Sequence, residues 1–106
     1  LDDIANALRS GDARSVSRFF GNTIDLTITS QEEVYSKVQA EQVLRDFFTK
    51  NPPRSFNIIH KGESKEGARY AIGTLVTSNG AVYRTYFFIK QQGSTSIIQE
   101  LRFMKE

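Results

Sequence analysis

Apolar positions in the first part of the chain recur at the spacing of amphipathic helices. Residues 1–20 carry two short apolar stripes, one that includes Leu8 and one that ends at Phe20. Gly11 and Asp12 lie between them, and these residue types favour the end of one helix and the capped start of the next. The pattern predicts two short helices, with Gly21-Asn22 as the stop of the second.

A longer helix is predicted to begin after Ser36. Ser36 and Gln39 have the spacing of a capping box, in which each side chain bonds the other residue's backbone N–H. The face that follows is apolar and consists of Val43, Leu44, Phe47 and Phe48. Because prolines cannot continue a helix, it ends before Asn51-Pro52-Pro53.

The remaining segments alternate between apolar and polar residues, which is typical of half-buried strands. Short strands are predicted at residues 23–29 and 32–35, and longer ones at 55–61, 68–77, 82–91 and 95–105. Residues 62–67 form a polar loop, whereas Ser78-Asn79-Gly80 and Gln92-Gly93-Ser94 indicate hairpins. The last three strands therefore form an antiparallel meander. The element order is α-α-β-β-α-β-β-β-β, and the predicted class is α+β.

Composition restricts the function more than it specifies it. The 106 residues suffice for one domain, spanning 1–106, and the formal charge of +2 comes from dispersed side chains, which argues against nucleic-acid binding. No apolar run is long enough for a membrane span, and the lack of cysteine excludes disulfides and zinc-thiolate sites. No motif indicates a metal or cofactor. The chain begins at Leu1 rather than methionine, so we expect a trimmed form, with export slightly favoured.

Several of these features together resemble a known superfamily. They are the opening helix with Gly11-Asp12, the helix end at Phe19-Phe20, the short strand pair, the helix over 43–48 and the closing strand over 97–103. In this arrangement the chain resembles the nuclear transport factor 2-like superfamily, the cystatin-like α+β cone, and is similar to small exported bacterial proteins of uncharacterised function. The resemblance implies a curved antiparallel sheet around a long helix, a pocket between them, and dimers through the outer sheet face. It implies no single function, because this fold carries enzymes, lipid binders and interaction modules.

Strand alternation divides the predicted sheet into two faces. We assign the more apolar face to the concave side, against the helices: Phe56, Ile58, Tyr70, Ile72, Thr74, Val76, Tyr83, Thr85, Phe87, Ile89, Leu101 and Phe103. From this assignment we expect a small apolar ligand to contact Tyr35, Phe47, Phe56, His60, Tyr70, Tyr83, Phe87 and Phe103.

The opposite face mixes charge with an apolar patch. It collects Arg69, Ala71, Gly73, Leu75, Val82, Arg84, Tyr86, Phe88 and Lys90. A contiguous apolar patch on a surface indicates an interaction site. We therefore expect a homodimer or a docked partner at Leu75, Tyr86 and Phe88, with Arg84 beside them.

Conventional catalytic residues are scarce. His60 is the only histidine, and because no orienting carboxylate is near it in sequence, a strand-end hydrogen bond is favoured over a general base. Alternation directs Asp25 and Glu100 outward, although a bulge in the last strand could reverse Glu100. Glu32 and Glu33 are adjacent on a strand and point to opposite faces. We therefore assign no catalytic residue, no metal site and no cofactor.

Three functional hypotheses remain open. The leading one is a non-catalytic ligand-binding or protein-interaction domain with a small apolar pocket. The second is an isomerase- or dehydratase-type enzyme that uses Tyr70, Tyr83 and His60. The third is a structural module whose interior is filled by Phe47, Phe48, Phe56, Phe87 and Phe103. Cavity volume and the position of His60 distinguish them.

Overall fold

A computed structural model describes residues 2–64 and 66–106. Over these residues the chain forms three helices and six strands. They are α1 (Asp2–Ser10), α2 (Ala13–Ser17), β1 (Phe20–Ile28), β2 (Gln31–Ser36), α3 (Lys37–Lys50), β3 (Pro53–Glu63), β4 (Ala68–Thr77), β5 (Val82–Gln92) and β6 (Thr95–Lys105). The α+β class and the order of the elements are confirmed. The first strand begins earlier than predicted, at Phe20, and β3 extends into the predicted polar loop.

The strands form one sheet in the order β2-β1-β6-β5-β4-β3. The last four strands form an antiparallel meander, and β1 and β2 form an antiparallel hairpin. The hairpin joins the meander through a parallel pair, in which Asp25 lies opposite Glu100 and Ile28 opposite Phe103. The sheet is therefore mixed rather than wholly antiparallel.

The local signals in the sequence work as expected. Asp12 caps α2, since its Oδ1 accepts a hydrogen bond from the Arg14 backbone N–H at 3.0 Å and its Oδ2 accepts one from the Ser15 hydroxyl at 2.9 Å. At α3 both halves of the capping box are present: the Gln39 N–H donates to Ser36 Oγ at 3.2 Å, and the Ser36 N–H donates to the Gln39 side chain at 3.3 Å.

The helices cover one face of the sheet, and the core lies between them. Phe47 on α3 is 4.7 Å from Phe103 and 5.1 Å from Tyr83, measured between ring centroids. On the other side of the core, α1 packs against β3, and Phe56 is fully buried. Burial of one such aromatic side chain contributes about 1.5–3 kcal/mol to folding. None of the described helices has the length and apolar character needed to cross a membrane.

The predicted orientation of β4 is wrong. Tyr70, Ile72, Thr74 and Val76 were assigned to the helix-facing side, but the buried side of β4 carries Ala71, Gly73, Leu75 and Thr77. The cause is the length of the β4–β5 turn. The Thr77 N–H donates to the Ala81 carbonyl at 2.9 Å, so three residues form the turn, and Gly80 supplies the positive φ of 89° that it requires.

A three-residue turn pairs residues of equal parity. Leu75 consequently lies opposite Tyr83, and Val76 opposite Val82. Directly opposed residues share a face of the sheet. Because Tyr83 and Phe87 face the helices, their partners Leu75 and Ala71 face the helices too. The residues assigned to the helix-facing side of β5 are there as predicted, and those of β4 are reversed.

The orientation predicted for His60 is also wrong. Ile58 pairs with Gly73 on the helix side, whereas His60 pairs with Ile72 on the outer side. Ile59 is the extra residue of a bulge between these pairs, and its side chain is exposed. A bulge inserts one residue into the alternation, so the side chains beyond it change face.

Candidate functional site

An open pocket lies between the C-terminal half of α3 and the β1–β2 hairpin. Its volume is about 260 Å³. The lining residues come from α3, β1, β2 and β5: Leu26, Ile28, Gln31, Tyr35, Val43, Asp46, Phe47, Lys50, Asn51 and Tyr83. Polar and apolar groups contribute about equally to the wall, and the polar groups lie mostly at the end of the helix.

Helical spacing explains which α3 residues reach the pocket. Val43, Asp46, Phe47 and Lys50 are separated by three or four positions, which places them on one side of the helix. Val43 and Phe47 provide the apolar part of this side. Asp46 and Lys50 form an exposed ion pair with 3.2 Å between Lys50 Nζ and Asp46 Oδ2.

Asn51 fixes the polar end of the pocket. Its side-chain N–H donates to the Phe47 carbonyl at 3.1 Å, and its Oδ1 accepts hydrogen bonds from the Tyr83 hydroxyl at 3.3 Å and from Asn79 at 3.2 Å. The Tyr83 hydroxyl, which is the tip of an otherwise buried side chain, therefore has a protein partner. Asn51 Oδ1 is held by two donors and is rigidly placed.

Tyr35 forms the opposite side of the pocket, on the edge strand β2. It is half-buried and pairs with Ile24, so its ring points to the helix side of the sheet. Burial raises the pKa of the Tyr35 hydroxyl, and the neighbouring Glu33 carboxylate raises it further. The phenol keeps its proton well above neutral pH and can donate a hydrogen bond to a ligand.

The residues predicted to contact a ligand fall into three groups. Tyr35, Phe47 and Tyr83 line the pocket. Phe56, Phe87 and Phe103 are completely buried in the core and do not line it. His60 and Tyr70, which were expected to point inward, lie on the outer face of the sheet because of the bulge and the turn described above.

On the outer face, His60 and Tyr70 contact each other rather than a pocket. The Tyr70 hydroxyl and His60 Nε2 are 3.0 Å apart, and the Tyr70 ring lies 6.3 Å from the Tyr86 ring. Tyr83 is on the opposite face of the sheet. The enzyme hypothesis therefore lacks Tyr83 beside the other two side chains, and His60 makes a hydrogen bond to Tyr70 within the sheet rather than facing a pocket.

The predicted interface residues are largely where the sequence placed them. Arg84, Tyr86 and Phe88 lie on the outer face, and Arg102 lies over the Tyr86 ring at 5.6 Å from its centroid. Burial raises the pKa of the Tyr86 hydroxyl, and the Glu100 carboxylate adds to this effect. Leu75 is the exception, because it is fully buried on the helix side and cannot take part in an interface.

Sequence reasoning missed most of the polar end of the pocket. Gln31, Asp46, Lys50 and Asn51 were not considered, although the spacing of Asp46 and Lys50 from Val43 indicates a shared helix side. Their convergence with β1 and β2 depends on tertiary packing, which the sequence pattern does not express.

Carboxylates that could hold a metal are also brought together. Over the described residues, one group of three forms on the outer face: Asp25, Glu32 and Glu100. Strand pairing explains the convergence, because β1 lies between β2 and β6 and carries Asp25 opposite Glu100.

Comparisons with known proteins identify the family. The sequence profile of a domain of unknown function, DUF4783, matches residues 1–104. Two crystal structures of DUF4783 proteins are similar over nearly their full length. The one from Bacteroides ovatus is 28% identical, with 100% of this chain and 94% of that chain covered and a TM-score of 0.92. The one from Bacteroides fragilis is 29% identical, with coverages of 98% and 96% and a TM-score of 0.89.

The fold extends beyond this family. An NTF2-like protein of unknown function from Shewanella baltica is 9% identical, with 99% of this chain and 86% of that chain covered, and has a TM-score of 0.75. A search of curated proteins finds no match. The fold suspected from the sequence is confirmed, and the chain belongs to the DUF4783 family of domains of unknown function.

Proposed function

We propose that this chain is a non-catalytic binding domain whose pocket, between α3 and the β1–β2 hairpin, takes a small amphipathic ligand. The observation that carries the proposal is the pocket of about 260 Å³ with Val43 and Phe47 in its wall. Sites for drug-sized ligands have volumes of roughly 300–1,000 Å³, so this pocket suits a ligand smaller than that class.

The polar end of the pocket supports an amphipathic ligand. Lys50 and Asn51 line the same pocket as the apolar side chains of Val43 and Phe47. Tyr35 contributes a hydroxyl from the other side of the pocket. A ligand with an apolar ring and one anionic group would satisfy both parts, because Lys50 provides a cation at the pocket mouth.

The distribution of titratable groups supports binding rather than catalysis. His60 is on the other face of the sheet, and Asp46 is exposed and paired with Lys50. General acid–base chemistry needs a positioned group whose pKa matches its task, within hydrogen-bond reach of the substrate. The Tyr83 hydroxyl already donates to Asn51.

Phenylacetate is a suitable probe, because it combines an aromatic ring with a carboxylate. We expect a dissociation constant of about 1 mM, which is typical of a fragment this small. In a titration followed by amide chemical shifts, the affected residues should lie in the C-terminal half of α3 and in β1 and β2. Val43→Trp should abolish the response by filling the pocket.

Val38→Trp is the matched control, because Val38 lies on the same helix with 69% of its surface exposed and outside the pocket. It should bind phenylacetate like the wild type. The proposal is lost if the two variants respond alike, or if no saturable shift occurs at concentrations well above the expected dissociation constant.

For the outer sheet face, we propose in addition that a second copy of the chain covers it. Its centre is aromatic and aliphatic, with Tyr70 and Ile72 on β4 beside Tyr86 and Phe88 on β5, all half-buried. At a two-fold interface the residues near the axis meet their own copies, so this position favours uncharged side chains. The charged Arg84 and Lys90 lie beyond the central rows on β5.

The oligomeric state tests this second proposal. We expect a dimer by light scattering after size exclusion, and Ile72→Arg should convert it to a monomer by placing like charges together at the axis. Ile59→Arg is the control, since Ile59 is exposed at the bulge of β3 and lies outside the patch. A wild-type chain that remains monomeric at the highest attainable concentration rules the dimer out.

A further inference from the structure

Three carboxylates converge on the outer face where β2, β1 and β6 run side by side. Asp25 on β1 lies opposite Glu100 on β6, and Glu32 on β2 lies opposite Thr27, two residues further along β1. The carboxylate oxygens of Asp25, Glu32 and Glu100 are all within 4.8 Å of one another. Carboxylates this close repel one another unless a positive charge lies between or beside them.

Two buried oxygen atoms at the same place have no partner. Among residues 2–64 and 66–106, the buried side-chain atoms that lack a hydrogen bond are Asp25 Oδ1 and Thr27 Oγ1. Thr27 is only 7% exposed, and its neighbours in the sheet are Glu32 on one side and Arg102 on the other. Buried polar atoms are nearly always paired, so two orphaned oxygens beside an acidic cluster indicate that something else binds there.

Arg102 lies beside this cluster, and its guanidinium pairs with Glu100 Oε2. The same guanidinium also lies over the Tyr86 ring. Asp25 Oδ1 remains without a partner despite this neighbour. One arginine therefore leaves two of the three carboxylates uncompensated.

From these observations we propose that Asp25, Glu32 and Glu100 form a binding site for a divalent cation, with the Thr27 hydroxyl as a neutral oxygen ligand. The ligand set favours calcium. Calcium takes six to eight oxygen ligands, often several carboxylates, in flexible geometry at about 2.3–2.6 Å. Magnesium needs a near-ideal octahedron at about 2.0–2.1 Å, keeps several waters and usually takes only one or two carboxylates, which a group of three carboxylates and a hydroxyl fits less well.

Calcium titration of the chelator-treated full chain tests the site. By calorimetry we expect saturable binding with a dissociation constant of about 10⁻⁴–10⁻³ M, the range of sites of modest charge. The largest amide shifts should fall at Asp25, Thr27, Glu32 and Glu100. Glu32→Gln should weaken binding at least about tenfold, since it removes a charged ligand.

Glu33→Gln is the matched control, because Glu33 is adjacent on the same strand and faces the helix side, opposite Leu26. It should bind calcium like the wild type. Equal binding by the two glutamine variants would overturn the proposal, and so would calcium shifts that fall outside β1, β2 and β6. If a variant fails to fold, the calcium-induced amide shifts of the wild-type chain still show whether the ion binds at β1, β2 and β6.

Discussion

At the scale of single residues, glycine positions record where an aromatic ring lies against the backbone. A Cβ atom at Gly73 would lie 2.5 Å from Phe56 Cζ and 2.8 Å from the Asn57 carbonyl oxygen. A Cβ at Gly62 would be equally close to the Tyr70 ring. The two sites differ in freedom, because Phe56 is completely buried whereas Tyr70 is half-exposed on the outer face.

Gly73→Ala should therefore destabilise the fold by about 1–3 kcal/mol, the usual cost of overpacking a filled core. Gly62→Ala is the matched control and should cost less, because only the far end of the Tyr70 side chain must shift there, whereas at Gly73 the obstacles are a buried ring and a backbone oxygen. Urea unfolding of both variants measures the difference. If Gly62→Ala lowers the stability more than Gly73→Ala does, the close packing of Phe56 against Gly73 does not account for the sensitivity of these glycines.

Asp12 gives a prediction about acid stability. Hydrogen bonds from the Ser15 hydroxyl and the Arg14 backbone N–H lower the pKa of its carboxyl below the ordinary 3.8. A carboxyl with a lowered folded-state pKa stabilises the fold above its unfolded pKa, and this contribution is lost as the pH falls through the folded value. The relevant window therefore lies at and below pH 3.8.

Asparagine caps a helix as well as aspartate does but does not titrate. Asp12→Asn should thus flatten the pH dependence of unfolding in this acidic window while it preserves the helix at neutral pH. Asp12→Ala should destabilise the fold at every pH, because it removes the cap itself. Thermal unfolding from neutral to acidic pH separates these outcomes, and an unchanged acid profile in Asp12→Asn contradicts the assignment.

At the scale of elements, the start of α3 depends on a reciprocal pair of hydrogen bonds. Ser36→Ala removes the hydroxyl that accepts from the Gln39 N–H, and loss of an N-cap costs about 0.5–2 kcal/mol. The pocket wall is carried by this helix, so ligand binding should weaken with it. Ser30→Ala, in the exposed β1–β2 turn, is the control, and chemical denaturation should show a smaller effect there.

The elements also show how far the sequence could be interpreted. Capping and proline signals located α3 to within a residue, because these are local effects of side chains on nearby backbone groups. The face of β4 was predictable too, since Ser78, Asn79 and Gly80 were identified as the turn and their number fixes the parity of the pairing. The bulge at Ile59 was not, because Ile58 and Ile59 are identical side chains and either fits an apolar position.

At the scale of the molecule, the parallel pairing of β1 with β6 determines the positions of the pocket and the acidic cluster, which the sequence did not predict. It joins the N-terminal hairpin to the end of the meander and so creates both sites. The pocket needs β1 beneath α3, and the acidic cluster needs Asp25 beside Glu100. Alternation correctly directed Asp25 outward, but no local pattern states which strand will lie next to it.

The same topology leaves β2 and β3 at the two edges of the sheet. An edge strand presents unpaired backbone groups to which another chain can add. On β3, Arg9 from α1 occupies one of them: its Nε and Nη2 donate to the Phe56 carbonyl at 3.2 Å and 2.8 Å. This contact ties the first helix to the edge and blocks one acceptor there.

Arg9→Lys keeps the charge but cannot reproduce the two-nitrogen fork. We expect a loss of stability of about 1.5–3 kcal/mol, the usual value for a hydrogen bond from a charged group. Faster aggregation near the unfolding midpoint should accompany it, because the β3 edge becomes available. Arg14→Lys is the control, since Arg14 lies on helix α2 and its side chain forms no hydrogen bond or ion pair with the described residues of the edge strands. Light scattering during thermal unfolding measures aggregation, which reports on the exposed β3 edge, whereas the unfolding midpoint reports on stability. If Arg9→Lys is destabilised but aggregates no faster than Arg14→Lys at the same fraction unfolded, Arg9 is a packing contact and does not protect the edge.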